Sequence, residues 1–419
     1  MKKQYLTTLL CCLLCLCALP AAAQEADLLA VYIAYEPNTV LTTDNAVPAQ
    51  VTLVSPEGET TFSADLRLVE PVSDAAEDSL PQKSLRIDGE EYRFILHNDG
   101  GDAIGTKLMS AVCCRLIGQG PVASPVRAQE PVIVYLNGEY WGLYNKREMI
   151  EDAIARFENL PDTAQLSVAR FSGQPVWGDA SGVAALYGKS QALDLSLAEA
   201  RQTLNGLLDT ESFLNWMAVN TYLGNANLHG ELYLYRVGDG PWKFATGDFA
   251  YAFYIASDNS IARLVKQENT RFFRGKAAEL ADRMLRQPEY QEAFLAKLGA
   301  LYQAWPTDVM QAAVDVEKER IGDAMPAHME RWADGLVQVM GKEYVYPAAN
   351  REEALLFWQY RVYRLRDKTL VRRPWYVYDS VQNALGVSNA DMVRFFGSTK
   401  PELPQVPEDS WMDFQSAAP

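Results

Sequence analysis

Asn137-Gly138 separates two β-rich runs, Pro-Val-Ile-Val-Tyr-Leu at 131–136 and Glu-Tyr-Trp-Gly-Leu-Tyr at 139–144. Asn-Gly is the pair that best tolerates positive φ at both central positions of a type I′ turn, and that turn matches the twist of two antiparallel strands. A tight hairpin is therefore expected near the end of the first third of the chain. Any fold open to this sequence must accommodate it.

The chain starts Met1-Lys2-Lys3, continues with an apolar run over 6–19 and reaches Ala21-Ala22-Ala23-Gln24. A basic start, a short apolar stretch and small residues predict a secretory signal over 1–23, cut after Ala23, and a secreted or extracytoplasmic protein. Cys11, Cys12, Cys15 and Cys17 lie in that run, but none follows the small residues of a lipid-attachment site, so no lipoprotein anchor is expected. The two remaining cysteines, Cys113 and Cys114, are adjacent on a predicted helix and point in different directions, which prevents a bridge. Without a disulfide framework the core must stabilise the chain, and 419 residues at 48% hydrophobic composition suffice. The net charge of −16 falls to −18 once Lys2 and Lys3 leave. So acidic a protein is a poor nucleic-acid binder. No later segment reaches the length of a transmembrane helix.

Short strands are predicted over 30–68, with 49–54 and 60–68 joined by Ser55-Pro56-Glu57-Gly58. Residues 70–80 read as acidic and irregular, and 83–96 as a strand pair around Asp88-Gly89. A helix is predicted from about 106 to 117, where Leu108, Val112 and Leu116 recur at helical spacing. Beyond the hairpin the pattern is helical: 197–208, 210–223 with Thr210 as cap, then 270–304, 306–340 and 350–371. One further hairpin, 231–237 with 242–245 around Gly238-Asp239-Gly240, interrupts it. The end, 399–419, is proline-rich and acidic and reads as a disordered tail.

The segment VYLNGEYWGLYNKRE at 134–148 resembles the signature of the CotH family, spore-coat-type secreted proteins with a protein-kinase-like fold. Further segments are similar to that family in the same order: Pro81 to Arg86, His97 to Leu116, 213–235, 242–253 and MPAHMERW at 325–332. The resemblance implies an α+β, atypical protein-kinase-like two-lobe fold. A strand-rich lobe would span 30–148 and a mainly helical lobe 149–398. It also implies ATP with Mg or Mn as cofactor.

Carried over residue by residue, the resemblance places Lys83 on the phosphates and Glu148 beside that lysine or the nucleotide. Asp248 falls on the metal-binding D-x-D element, whose second position is Ala250. A methyl group coordinates nothing, whereas magnesium takes oxygen ligands. In the stretch matching the catalytic loop, Asn227 stands where the family has its aspartate base, and an amide cannot accept a proton at neutral pH. Glu231 replaces a metal-binding asparagine and can still ligate a cation. His229 is a candidate substitute base, although a lone histidine beside a turn is more often structural. The stretch 70–78, where the family places glycine and arginine near the phosphates, carries Glu70, Asp74, Glu77 and Asp78. Carboxylates there repel a polyanion by about 1 kcal/mol per close pair even in high dielectric.

The basic stretch Arg361, Arg364, Arg366, Lys368, Arg372 and Arg373 reads as a helix whose charges pair with the protein's own carboxylates. The expectation is an exported kinase-like protein with impaired catalysis, a nucleotide-binding or scaffold protein for an exported or envelope protein. The alternative is an active secreted ATP-dependent Ser/Thr protein kinase. It would need Glu231 or His229 to take over the lost roles.

Overall fold

The computed structural model describes residues 28–69, 80–226, 228, 232–265, 276–343, 350–408 and 413. The expected signal, the acidic 70–78 stretch, Asn227, His229 and Glu231 lie outside those residues.

The fold mixes a β-barrel, a second sheet and many helices. The barrel strands are β1 (Leu29–Tyr35), β2 (Val47–Ser55), β3 (Gly58–Leu68), β4 (Leu85–Gly89), β5 (Arg93–His97), β6 (Gln129–Leu136) and β7 (Glu139–Arg147). They close in the order β1-β2-β3-β4-β5-β7-β6, with β1 and β6 parallel and the other neighbours antiparallel. Alternation builds the interior: Val31, Ile33, Val51, Leu66, Leu85, Ile87, Phe94, Leu96, Val132, Val134 and Tyr144 pack together inside. The residues between them face outward, a point that decides the site below.

The predicted turn forms. Asn137 and Gly138 have φ of 48° and 85°, both positive as type I′ geometry requires. The Asn137 side-chain oxygen also accepts the Tyr35 amide at 2.9 Å, which ties the turn to β1.

The second sheet has the order β11-β10-β8-β9, built from β8 (Leu166–Arg170), β9 (Pro175–Trp177), β10 (Leu232–Val237) and β11 (Lys243–Thr246). The sequence pattern anticipated β10 and β11 but not β8 and β9. Runs of five and three residues are too short to display a period.

The helices are α1 (Met109–Gln119), α2 (Ile150–Phe157), α3 (Gly182–Ala192), α4 (Ala198–Leu207), α5 (Thr210–Leu223), α6 (Ser260–Val265) and α7 (Lys276–Leu285). After them come α8 (Pro288–Ala304), α9 (Thr307–Gly322), α10 (Met325–Glu343), α11 (Arg351–Tyr363), α12 (Leu370–Leu385) and α13 (Asn389–Phe396). The expected helix over 270–304 is thus two, because Pro288 restarts the chain as the first residue of α8. The cap of α5 is Asp209 and not Thr210: its carboxylate accepts the Ser212 amide at 2.9 Å.

α5 is apolar nearly all round, with Phe213, Trp216, Met217, Val219 and Tyr222 each 1% exposed or less, so it forms the axis of the helical core. A π-helical segment, Arg364–Thr369, joins α11 to α12. Among the described residues no helix is long and apolar enough to cross a membrane.

Candidate functional site

A cleft enclosing about 340 Å³ opens between the barrel wall and the second sheet. Its upper wall is the outward face of β3, β4, β5 and β7. Strand register sets Arg67 opposite Arg86, Arg86 opposite Ile95, and Ile95 opposite Arg147. One cross-strand row therefore carries three arginines. Arg170, Val176 and Tyr233 of the second sheet, and Arg127 from the segment just before β6, complete the lining.

Asp248 lies just past β11 and is buried at the inner end of the cleft. Its Oδ1 accepts Arg147 Nη2 at 3.1 Å, Ser110 Oγ at 2.9 Å and the Phe249 amide at 2.6 Å. Its Oδ2 lies 3.6 Å from His97 Nε2. Burial alone would raise its pKa, but Arg147 above all holds the carboxyl well below the usual carboxylate range. His97 responds in the opposite sense. Burial first, and then the Arg147 guanidinium, push its pKa down to about 3. Its Nδ1 accepts the Asp99 amide at 3.0 Å, so the ring proton sits on Nε2, toward Asp248.

The segment after β5 is a packed polar hub. Lys107 Nζ pairs with Asp99 at 2.9 Å and donates to the Asn98 carbonyl at 3.1 Å, while Asn145 donates its amide to Asp99. Asp102 accepts the amides of Thr106 at 2.7 Å, Leu108 at 3.0 Å and Met109 at 2.9 Å, which closes the first turn of α1. Burial pushes the Asp102 carboxyl up to about 6 in spite of those hydrogen bonds. Asp102 is therefore a capping group, and it sets α1 so that Ser110 reaches Asp248.

Lys83 precedes β4, and its carbonyl accepts the Tyr144 hydroxyl at 2.9 Å. The Glu148 carboxylate is engaged by Arg156 at 2.8 and 3.2 Å and by the Ala128 amide at 3.0 Å. Of the sequence-derived candidates within the described residues, Asp248 lines the cleft and Lys83 and Glu148 do not. The cation that β4 does present to the cleft is Arg86, three residues beyond Lys83. Strand alternation carries that signal: Leu85 and Ile87 point into the barrel, so Arg86 points out.

Among the described residues the donor set around Asp248 is a poor match for magnesium. The Asp248 oxygens already face Arg147, Ser110, His97 and a backbone amide, and Ala250 supplies no oxygen. Among the described residues no group of three or more His, Cys, Asp or Glu side chains could hold a metal ion.

Four members of the basic stretch near the end of the chain, Arg366, Lys368, Arg372 and Arg373, are absorbed internally. Arg366 forms a two-point pair with Asp315 at 2.6 and 2.9 Å. Arg372 reaches the carbonyls of Pro404 and Val406, and Lys368 that of Pro407. Arg373 is buried against backbone carbonyls at the end of α5.

In comparisons with known proteins, the family model described as CotH kinase protein matches residues 75–351, about two thirds of the chain. That span begins just before β4 and includes the hairpin, the arginine-lined walls except Arg67, and Asp248. No curated protein matches the chain.

Proposed function

The chain belongs to the CotH kinase protein family, and from that premise we propose that it is an exported kinase-like protein whose cleft binds a ligand without transferring phosphate. In this reading the barrel is one lobe, the helices with the second sheet are the other, and the protein serves as a binding or scaffold partner of an exported or envelope protein. The carrying observation is the state of Asp248. Phosphoryl transfer needs carboxylates free to hold metal ions and a base near the acceptor hydroxyl. The one carboxylate of the D-x-D element is committed to Arg147 at 3.1 Å and Ser110 at 2.9 Å, and its companion position is Ala250. Asn227 at the base position supports the same reading through its chemistry alone. The resemblance assigns Lys83 to the phosphates and Glu148 to that lysine or the nucleotide, and neither lines the cleft.

The test is transfer of labelled phosphate from ATP by residues 24–419, with magnesium or manganese, beside an active kinase. The expected result is no transfer above background. Transfer that disappears in Asp248→Ala or Lys83→Ala would overturn the proposal.

A further inference from the structure

We propose that the cleft is a metal-independent site for a small phosphate-type anion, a pyrophosphate group or a phosphate ester, held by Arg127 and Arg170 in the cavity they share with the Arg67–Arg86 pair. The inference rests on the reading above, that the cleft binds and does not transfer, and it names the ligand chemistry.

Like charges set directly opposite each other on neighbouring strands destabilise a sheet. Arg67 and Arg86 are such a pair. Both lean on one carboxylate, Asp88, at 3.0 and 2.7 Å. Arg147 is neutralised by Asp248. Arg127 and Arg170 have no carboxylate partner among the described residues. Arg127 Nε is buried without an acceptor among the described residues, while its Nη2 comes only within 3.5 Å of the Tyr233 hydroxyl. An unmet buried donor on a cation is costly in a folded protein, and an anion in the cleft would satisfy it.

Charge points the same way. In a chain of net charge −16, this cavity is lined, among the described residues, by five arginines against Asp44, Glu151 and Asp248. Guanidinium forks match the oxygens of phosphate in pairs, and they do so without a bridging cation. The volume, about 340 Å³, is at the lower end for ligand pockets and suits a compact anion. The Tyr233 ring beneath Arg127, 5.7 Å from its guanidinium carbon, holds that fork in place by a cation–π contact.

The experiment is calorimetric titration of residues 24–419 with pyrophosphate, ADP and succinate in EDTA, repeated for pyrophosphate with magnesium in place of EDTA. Pyrophosphate should bind in EDTA, with affinity that falls as salt rises. Arg127→Gln and Arg170→Gln should each weaken it about tenfold, the worth of one charge-assisted pair, with unchanged urea midpoints. Arg170→Lys should recover part of the loss. ADP binding tighter than pyrophosphate would identify a nucleotide as the source of the phosphates; weaker binding would identify a small phosphate compound. Binding that appears only with magnesium, binding indifferent to both arginines, or succinate binding as tightly as pyrophosphate would overturn the inference. Metal-dependent phosphate transfer would instead overturn the functional reading and leave the EDTA titration standing.

Discussion

Trp332 donates its indole N–H to the carbonyl of Trp141 at 2.7 Å, and the two rings meet edge to face at 5.3 Å. One turn earlier on α10, His328 Nδ1 accepts the Leu143 amide at 3.3 Å. Arg331 lies over both indoles, 4.5 Å from the Trp141 ring and 5.0 Å from that of Trp332. The motif at 325–332 is therefore the clamp on the outside of the hairpin strand β7. Two segments nearly two hundred residues apart form a single structural unit.

Gly142 is where that clamp touches β7. Its φ is 115°, and a Cβ there would stand 2.7 Å from Trp332 Nε1 and 3.1 Å from His328 Nδ1. Gly142→Ala should cost about 2 kcal/mol or more, from backbone strain together with displacement of the indole. Urea unfolding followed by tryptophan fluorescence checks this. A midpoint equal to wild type would show that α10 is not held through this contact.

Arg147 and Asp248 should be worth far more together than apart. Arg147→Met leaves a buried carboxylate without its cation and should cost about 3–5 kcal/mol, the usual penalty for breaking a buried pair from one side. Arg147→Met with Asp248→Asn should recover a large part of that loss. A double-mutant cycle in urea measures the coupling. Additive effects would contradict the ion pair.

Acid should weaken the fold from about pH 6.5 downward. His97, with its pKa pushed to about 3, and His328, pushed well below the usual value by burial and then by Lys107, stay neutral in the folded protein. Both take up protons near pH 6.5 once unfolded, so their stabilising contribution is complete above that pH and lost as the pH falls. Asp102 acts in the opposite direction. With its carboxyl pushed up to about 6, the folded state binds its proton first, and stability gains between about pH 6 and 4. For these three groups the net loss over that window is one proton's worth, about 1.4 kcal/mol per pH unit, and the raised carboxyls of Glu151 and Asp152 work against it in the same sense as Asp102. His328→Gln should flatten the 6-to-4 limb of a urea-midpoint series. Stability that rises on acidification of the wild type would refute the assignment.

Arg373 should resist conservative replacement. Its guanidinium donates to the carbonyls of Thr221 at 2.6 Å, Tyr222 at 2.7 Å, Asp258 at 2.7 Å and Ala256 at 2.9 Å. It closes the C-terminal end of α5, from which the chain enters the 224–231 segment. Arg373→Lys keeps the charge but not the planar fork, and should cost about 2 kcal/mol by leaving carbonyls unmet. Protease digestion that cuts no faster within 224–231 in the variant would argue against this tie.

Local chemistry carried a good deal of this structure. Asn137-Gly138 defined a turn whose φ angles no tertiary contact needs to impose, and the strand pairs around residues 55–58 and 238–240 follow from the same turn preferences, whereas the expected turn at Asp88-Gly89 falls two residues later, at Glu90-Glu91, with Asp88 and Gly89 inside β4. Family membership was legible in the order of the motifs. Helix limits at prolines and caps were less so, because Pro288 and Asp209 compete with neighbours of similar propensity. The short strands β8 and β9 form only because β10 offers β8 a hydrogen-bonded edge, to which β9 then adds.

The cleft was not legible in the sequence. Arg67, Arg86, Arg127, Arg147 and Arg170 are spread over a hundred residues, and no spacing links them. Barrel register aligns three of them, the second sheet brings Arg170 to the cleft, and Arg127 comes from the segment just before β6. Composition also cannot show whether Asp248 is open to a metal or already paired, since that depends on a guanidinium 101 residues away in sequence and 3.1 Å away in space. Sequence by itself determined the turns, the strand alternation and the family, because these depend on near neighbours and on motif order. Tertiary structure alone decided which charges meet, because electrostatic partnership falls off with distance through space and is indifferent to distance along the chain.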